Sequence, residues 1–124
     1  DTDSTLLNEA VSSAKCADVA VVFAGLPETF ESEGFDRKNL RIPENQNQLI
    51  AEICKVQPNT VVVLHNGAPV EMPWISKTPA VLEMYLGGEA VGAAAVKVLF
   101  GDVNPSGKLA RNIYRKNYRH NPSY

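Results

Sequence analysis

Two apolar runs limit what this chain can become more than any other feature: Val19-Ala20-Val21-Val22-Phe23-Ala24-Gly25-Leu26 and Thr60-Val61-Val62-Val63-Leu64-His65. Neither alternates polar with apolar residues, so each reads as a strand covered on both faces, as in a parallel sheet with helices on either side. Helical patterns lie around them. Leu6, Leu7, Ala10, Val11 and Ala14 recur at helical spacing behind Asp3 and Ser4, either of which can cap a first turn, which predicts a helix over 4–16. Pro43 stands where a proline can open a helix, and Leu49, Ile50, Ile53 and Val56 then form one stripe, predicting a second helix over 44–56. After Pro58-Asn59 and the second strand comes a stretch kept irregular by Pro69, Pro73 and Pro79, with one short turn at Pro73-Trp74-Ile75. Ala80-Val81-Leu82-Glu83-Met84-Tyr85-Leu86 reads as a third strand, and a third helix runs from Glu89 to Phe100, its small Gly92, Ala93, Ala94 and Ala95 suited to close packing and Gly101 to a stop. The expected fold is α/β: a three-layer sandwich whose mainly parallel sheet, with strands at 18–26, 60–65 and 80–86, is flanked by helices.

Loops that follow parallel strands open at one edge of the sheet, which is where such folds keep their ligand crevices. Three qualify: Glu28 to Arg37, Asn66 to Trp74 and Gly87 to Gly92. The first holds Glu31-Ser32-Glu33-Gly34-Phe35-Asp36-Arg37, three carboxylates and a guanidinium in seven residues. Crowded carboxylates repel, and the least solvated of them should keep its proton at neutral pH, which makes this loop a source of a general acid. A solvated acidic turn held by an Asp36 to Arg37 pairing is the structural alternative.

Other chemistries find little support. With 124 residues, 44% hydrophobic and 21% charged, the chain suffices for one ordinary domain with a core. A net charge of −2 leaves no electrostatic footprint for nucleic acid or an anionic membrane. Cys16 and Cys54 lie in helical patterns without a second Cys or His at ligand spacing, so both read as small core residues, and His65 and His120 form no metal motif. No metal or cofactor is expected. Gly101-Asp102-Val103-Asn104-Pro105-Ser106-Gly107-Lys108 imitates a phosphate loop but has the wrong glycine spacing, follows a helix and ends in Leu109 where Ser or Thr is required. Gly87-Gly88-Glu89-Ala90-Val91-Gly92 lacks the dinucleotide spacing and sets Glu89 where a pyrophosphate would sit. No Gly-x-Ser-x-Gly elbow is present. The apolar runs fall short of the about 20 residues that cross a bilayer, and no basic leader precedes an apolar segment, which favours a cytoplasmic setting while leaving the compartment open.

Ala17 to Leu26, Glu31 to Arg37, His65-Asn66-Gly67-Ala68-Pro69-Val70-Glu71-Met72-Pro73-Trp74 and Gly101 to Leu109, in this order, resemble the second, α/β-sandwich domain of glycoside hydrolase family 3 β-glucosidases, over Ala10 to Leu109. The resemblance implies a retaining, exo-acting glycosidase that removes terminal non-reducing β-D-glucosyl residues from a β-glucoside or oligosaccharide. It implies a (β/α)8 barrel domain of the same polypeptide that supplies an aspartate nucleophile, and it places the acid/base on Glu33, directly before the glycine of the Glu-Gly-aromatic-Asp-Arg motif. A retaining pair needs carboxyls about 5 to 5.5 Å apart. Gly34 permits a tight turn beside Glu33, and Glu31, Phe35, Asp36 and Arg37 are expected to bind substrate or support the loop.

No barrel is present here, so the isolated chain is expected to be inactive. The family's upstream strand is missing too, and association of copies through the edge this leaves is a further expectation. The sandwich domain is assigned to 1–109 and a basic, aromatic tail to 110–124, where Ala110-Arg111-Asn112-Ile113-Tyr114-Arg115 departs from the family's Thr-Phe-Pro continuation. The alternative from another class is a non-catalytic sugar- or nucleotide-binding α/β module.

Overall fold

The computed structural model describes residues 2–34 and 36–110. The chain runs through α1 (Ser4–Cys16), β1 (Ala20–Gly25), α2 (Glu44–Val56), β2 (Thr60–His65), a 3-10 turn (Ile75–Lys77), β3 (Ala80–Glu83) and α3 (Val91–Leu99). The first two helices span the predicted residues. Asp3 is the cap of α1: its carboxylate accepts the N–H groups of Thr5 at 2.8 Å and Leu6 at 3.3 Å, two donors the helix itself leaves unpaired. Pro43 sits one position before α2, with Glu44 complementing the positive end of the helix in its first turn.

All three strands are parallel in the order β1-β2-β3. Ala20 to Gly25 lie in register with Thr60 to His65, and Val61 to Leu64 with Ala80 to Glu83. The third strand stops at Glu83, short of the expected Leu86. Tyr85 takes a φ of 52°, a left-handed backbone no strand can accommodate, and the Glu83 carboxylate holds it there by accepting the Tyr85 N–H at 2.9 Å. The third helix starts at Val91, two residues later than predicted, because Glu89 and Ala90 form a turn ahead of it.

The core lies on one face of the sheet, where Val22, Ala24, Val62 and Leu64 meet Ala14 of α1 and Ile50 and Ile53 of α2. No helix joins β2 to β3. The irregular connection fills that part of the core itself, with Val70, Met72 and Trp74 buried beside Ile42. Trp74 Nε1 donates to Asn47 Oδ1 at 3.0 Å, which satisfies a buried polar group on the inner face of α2. Successive strand residues point to opposite faces, so Val63 looks away from this cluster, and both it and Ala95 of α3 are buried outside it. They mark the second packing layer of the α/β sandwich. Val21 and Phe23 share that second face yet stay 42% and 61% exposed, and the Phe23 ring stacks on His65 with centroids 6.3 Å apart. Cys16 is exposed rather than in the core, because the last turn of α1 carries it past the packed stripe; Cys54 is half-buried, its Sγ 3.4 Å from Thr78 Oγ1.

At the amino ends of the strands the chain is stitched by neutral amides. Buried Gln57 donates from Nε2 to the carbonyls of Ala14 and Ala17 and accepts the Asn59 N–H at 2.9 Å, while its own carbonyl accepts the Thr60 hydroxyl at 2.7 Å. Asn59 Nδ2 adds a bond to the Asp18 carbonyl at 3.2 Å.

Candidate active site

Parallel pairing brings the three loops to the carboxyl edge, as the sequence predicts, and there the first two are joined. Pro27 closes a turn by accepting the N–H groups of Phe30 at 2.8 Å and Glu31 at 3.1 Å. Glu31 then turns its carboxylate onto the loop after β2, where Oε2 accepts the Gly67 N–H at 2.7 Å. Further along, the Arg37 guanidinium donates to the Pro69 carbonyl at 3.1 Å and to the Arg41 carbonyl at 3.3 Å. Glu71 donates its N–H to the Leu40 carbonyl at 2.7 Å, completing the seam. The acidic loop is therefore fixed at two points, one on each side of Glu33.

Between those points Ser32, Glu33, Gly34 and Asp36 are exposed. Gly34 has a φ of 97°, and a Cβ there would find nothing within 4 Å, so glycine is required by the backbone and not by space. Among the described residues nothing hydrogen bonds the Glu33 carboxylate, which stands free at the apex. Phe35 lies outside the described residues, as do Arg111 to Tyr124, including His120 and most of the basic tail. The Asp36 to Arg37 pairing of the structural alternative is not among the ion pairs of the described residues; the Arg37 guanidinium donates to backbone carbonyls instead.

Of the three loop carboxylates described, Glu31 is the least exposed, and the backbone already engages it. Glu83, at the carboxyl end of β3, is held above its ordinary value of 4.5 by burial, which outweighs the Tyr85 N–H, the Asn66 amide and the nearby His65. Asn66 is buried beside it and donates to the Ala68 carbonyl at 3.0 Å and to Glu83 Oε2 at 3.4 Å, while its Oδ1 lacks a partner among the described residues. Sequence reasoning passed over Glu83. Its signal was available: a lone carboxylate in an apolar strand, at the strand's carboxyl end. A cleft of about 710 Å³ follows the outer edge of β3, lined by Met72, Ile75, Val81, Glu83, Val98 and Leu109, away from the acidic loop. Among the described residues, no group of three or more His, Cys, Asp or Glu is placed to hold a metal, and no helix is long and apolar enough to cross a membrane.

The family model of the glycosyl hydrolase family 3 C-terminal domain matches residues 3–124. The chain belongs to glycosyl hydrolase family 3. Within it, the chain is 62% identical over 122 residues to the thermostable beta-glucosidase B of Acetivibrio thermocellus, covering 98% of this chain and 16% of that protein. It is 46% identical over 112 residues to an exo-alpha-(1->6)-L-arabinopyranosidase of Bifidobacterium longum, covering 90% of this chain and 15% of that one. The crystal structure of the beta-glucosidase from Kluyveromyces marxianus in complex with glucose superposes with a TM-score of 0.88 at 38% identity, over 94% of this chain and 14% of that one. The family 3 domain described here thus spans about a sixth or a seventh of the length of these relatives. A relative bearing the name of a different glycosidase is nearly half identical over this domain, so identity here does not by itself specify the sugar.

Proposed function

We propose that this domain carries the acid/base of a retaining, exo-acting β-glucosidase and that the acid/base is Glu33. The observation that carries the reading is the free carboxylate of Glu33 at the apex of a loop fixed on both sides, at the carboxyl edge of a parallel sheet. A group that must give and take protons across a domain boundary has to project from its own domain and yet be held still. Among the described residues Glu33 is exposed, so in this reading the enclosing wall and the nucleophilic aspartate belong to the parent's barrel. The exposed Val21 and Phe23 and the length of the relatives favour such a larger assembly.

In the first half-reaction the Glu33 carboxyl gives its proton to the glycosidic oxygen as the bond from C1 to that oxygen breaks and the barrel aspartate bonds to C1. In the second, the Glu33 carboxylate takes a proton from water while the water oxygen bonds to C1 and the aspartate leaves. The sandwich domain is assigned to 1–109, with 110–124 as a tail.

Glu33→Ala in the intact parent enzyme tests the assignment. On cellobiose, whose leaving group needs a proton, kcat/KM is expected to fall by about 10² to 10⁴-fold. On 2,4-dinitrophenyl β-glucoside, whose leaving group does not, it should change little. An equal loss on both substrates would remove Glu33 from the acid role.

A further inference from the structure

We propose that Glu31 is a positioning residue of this reaction, whose bond to the Gly67 N–H sets where Glu33 presents its carboxyl. The proposal rests on the reading of Glu33 as acid/base. Three observations converge on it. The Glu31 carboxylate points back into the protein and accepts the Gly67 N–H at 2.7 Å, a short, charge-assisted bond of the stronger kind. Only Ser32 separates Glu31 from Glu33, whereas Arg37, the other anchor of the loop, lies four residues beyond Glu33. The nearer anchor has the greater control.

The third observation concerns what Glu31 is anchored to. A Cβ at Gly67 would come within 2.9 Å of Leu86 Cδ1 and 3.3 Å of Glu31 Oε1, so the acidic loop, the turn after β2 and the segment that leaves β3 meet at this one point. Beneath it, buried Asn66 is tied to the Ala68 carbonyl and to Glu83. Glu31 therefore grips a turn that is itself braced by β3 and the loop after it. A carboxylate used this way fixes the backbone two residues from the acid, and a displacement of about 1 Å at a reacting group can cost on the order of 100-fold in rate.

The test uses the intact parent enzyme with Glu31→Ala, Glu31→Gln, Gly67→Ala and Glu33→Ala, each assayed on cellobiose and on 2,4-dinitrophenyl β-glucoside, with glucose as competitive inhibitor. Glu31→Ala is expected to lower kcat/KM on cellobiose by about 10 to 100-fold and on the activated substrate far less, with glucose inhibition unchanged. Glu31→Gln keeps an oxygen for the Gly67 N–H and should recover most of the loss. Gly67→Ala, which presses on Leu86 and the Glu31 carboxylate, should show the same substrate-dependent pattern more weakly and serves if Glu31→Ala does not fold. Equal losses on both substrates with weakened glucose inhibition would instead make Glu31 a substrate ligand and overturn the proposal, as would a Glu31→Gln no better than Glu31→Ala. If Glu33→Ala discriminates between the substrates and the Glu31 and Gly67 variants do not, only the positioning role falls. If Glu33→Ala itself shows no discrimination, the acid/base reading fails and takes this one with it.

Discussion

The two ends of the sheet are built from different materials. At the amino ends, Gln57, Asn59 and Thr60 are neutral, and their side chains bond to backbone groups of neighbouring segments. At the carboxyl ends the ties are made by the ionisable side chains of Glu31, Arg37 and Glu83, Tyr85 and Gly34 have left-handed backbones, and the Asn66 Oδ1 is without a partner among the described residues. Folding alone favours the first arrangement, since buried charge, unsatisfied oxygen and strained backbone all cost stability. Their concentration at one end is what the proposed function expects of an edge that serves chemistry as well as stability.

Substitutions at the two ends should therefore separate in what they change. The largest effect concerns the whole carboxyl edge: the 124-residue chain alone, checked as folded by circular dichroism, should show no turnover of aryl β-glucosides, because in the proposed reading the second carboxyl that a retaining mechanism requires about 5 to 5.5 Å from the acid comes from the parent's barrel. Robust release of the aryl alcohol, with contaminants excluded by Glu33→Ala, would place the complete site within this chain.

At the amino end, Gln57→Leu removes the amide donor to the Ala14 and Ala17 carbonyls and the acceptor of the Asn59 N–H, and should lower stability by about 2 kcal/mol while leaving the ratio of cellobiose to activated-substrate turnover unchanged. Thermal unfolding and both assays on the parent measure this; a changed ratio would blur the division between the ends. Gly34→Ala should do the reverse. Its left-handed backbone costs an alanine about 1 to 2 kcal/mol, and a loop that relieves that strain by turning moves Glu33 with it, so activity on cellobiose should suffer more than unfolding temperature.

The smallest effect is expected from Glu83. Because its folded value is raised, the folded protein binds more protons than the unfolded chain between 4.5 and that value, so the Glu83 contribution to stability is full below 4.5 and is lost as pH rises through the folded value. Glu83→Gln should remove this fall, gaining on the unmodified protein from acid towards neutral pH in unfolding measurements. A steeper fall in the variant would reverse the sign.

Much of the fold was legible because it is local. Asp3 and Pro43 announce helix starts, and the apolar stripes of α1, to Ala14, and of α2, to Val56, mark the extent of both helices to within about a turn. The end of β3 was not, since Met84, Tyr85 and Leu86 continue the apolar pattern and only the bond from the Tyr85 N–H to Glu83 reveals the break. Cys16 misled for a related reason: helical spacing places a residue on a helix without saying how far the packed stripe reaches. At the site, the crowding of charge located the loop, and the resemblance singled out Glu33. What fixes the loop was invisible, because Glu31 and Arg37 bind the N–H of Gly67 and the carbonyl of Pro69, backbone groups that every sequence offers.

The central claim, that the carboxyl edge of this domain supplies the proton-transfer group through Glu33, meets its most direct test in chemical rescue. The intact parent enzyme with Glu33→Ala and with Glu31→Ala is given an activated aryl β-glucoside with and without azide. Azide attacks the glycosyl-enzyme without help from a base, so it should restore turnover to Glu33→Ala, yield a β-glucosyl azide, and raise the turnover of Glu31→Ala, which keeps its base, far less. Rescue of Glu31→Ala and not of Glu33→Ala would contradict the account and move the acid/base two residues upstream.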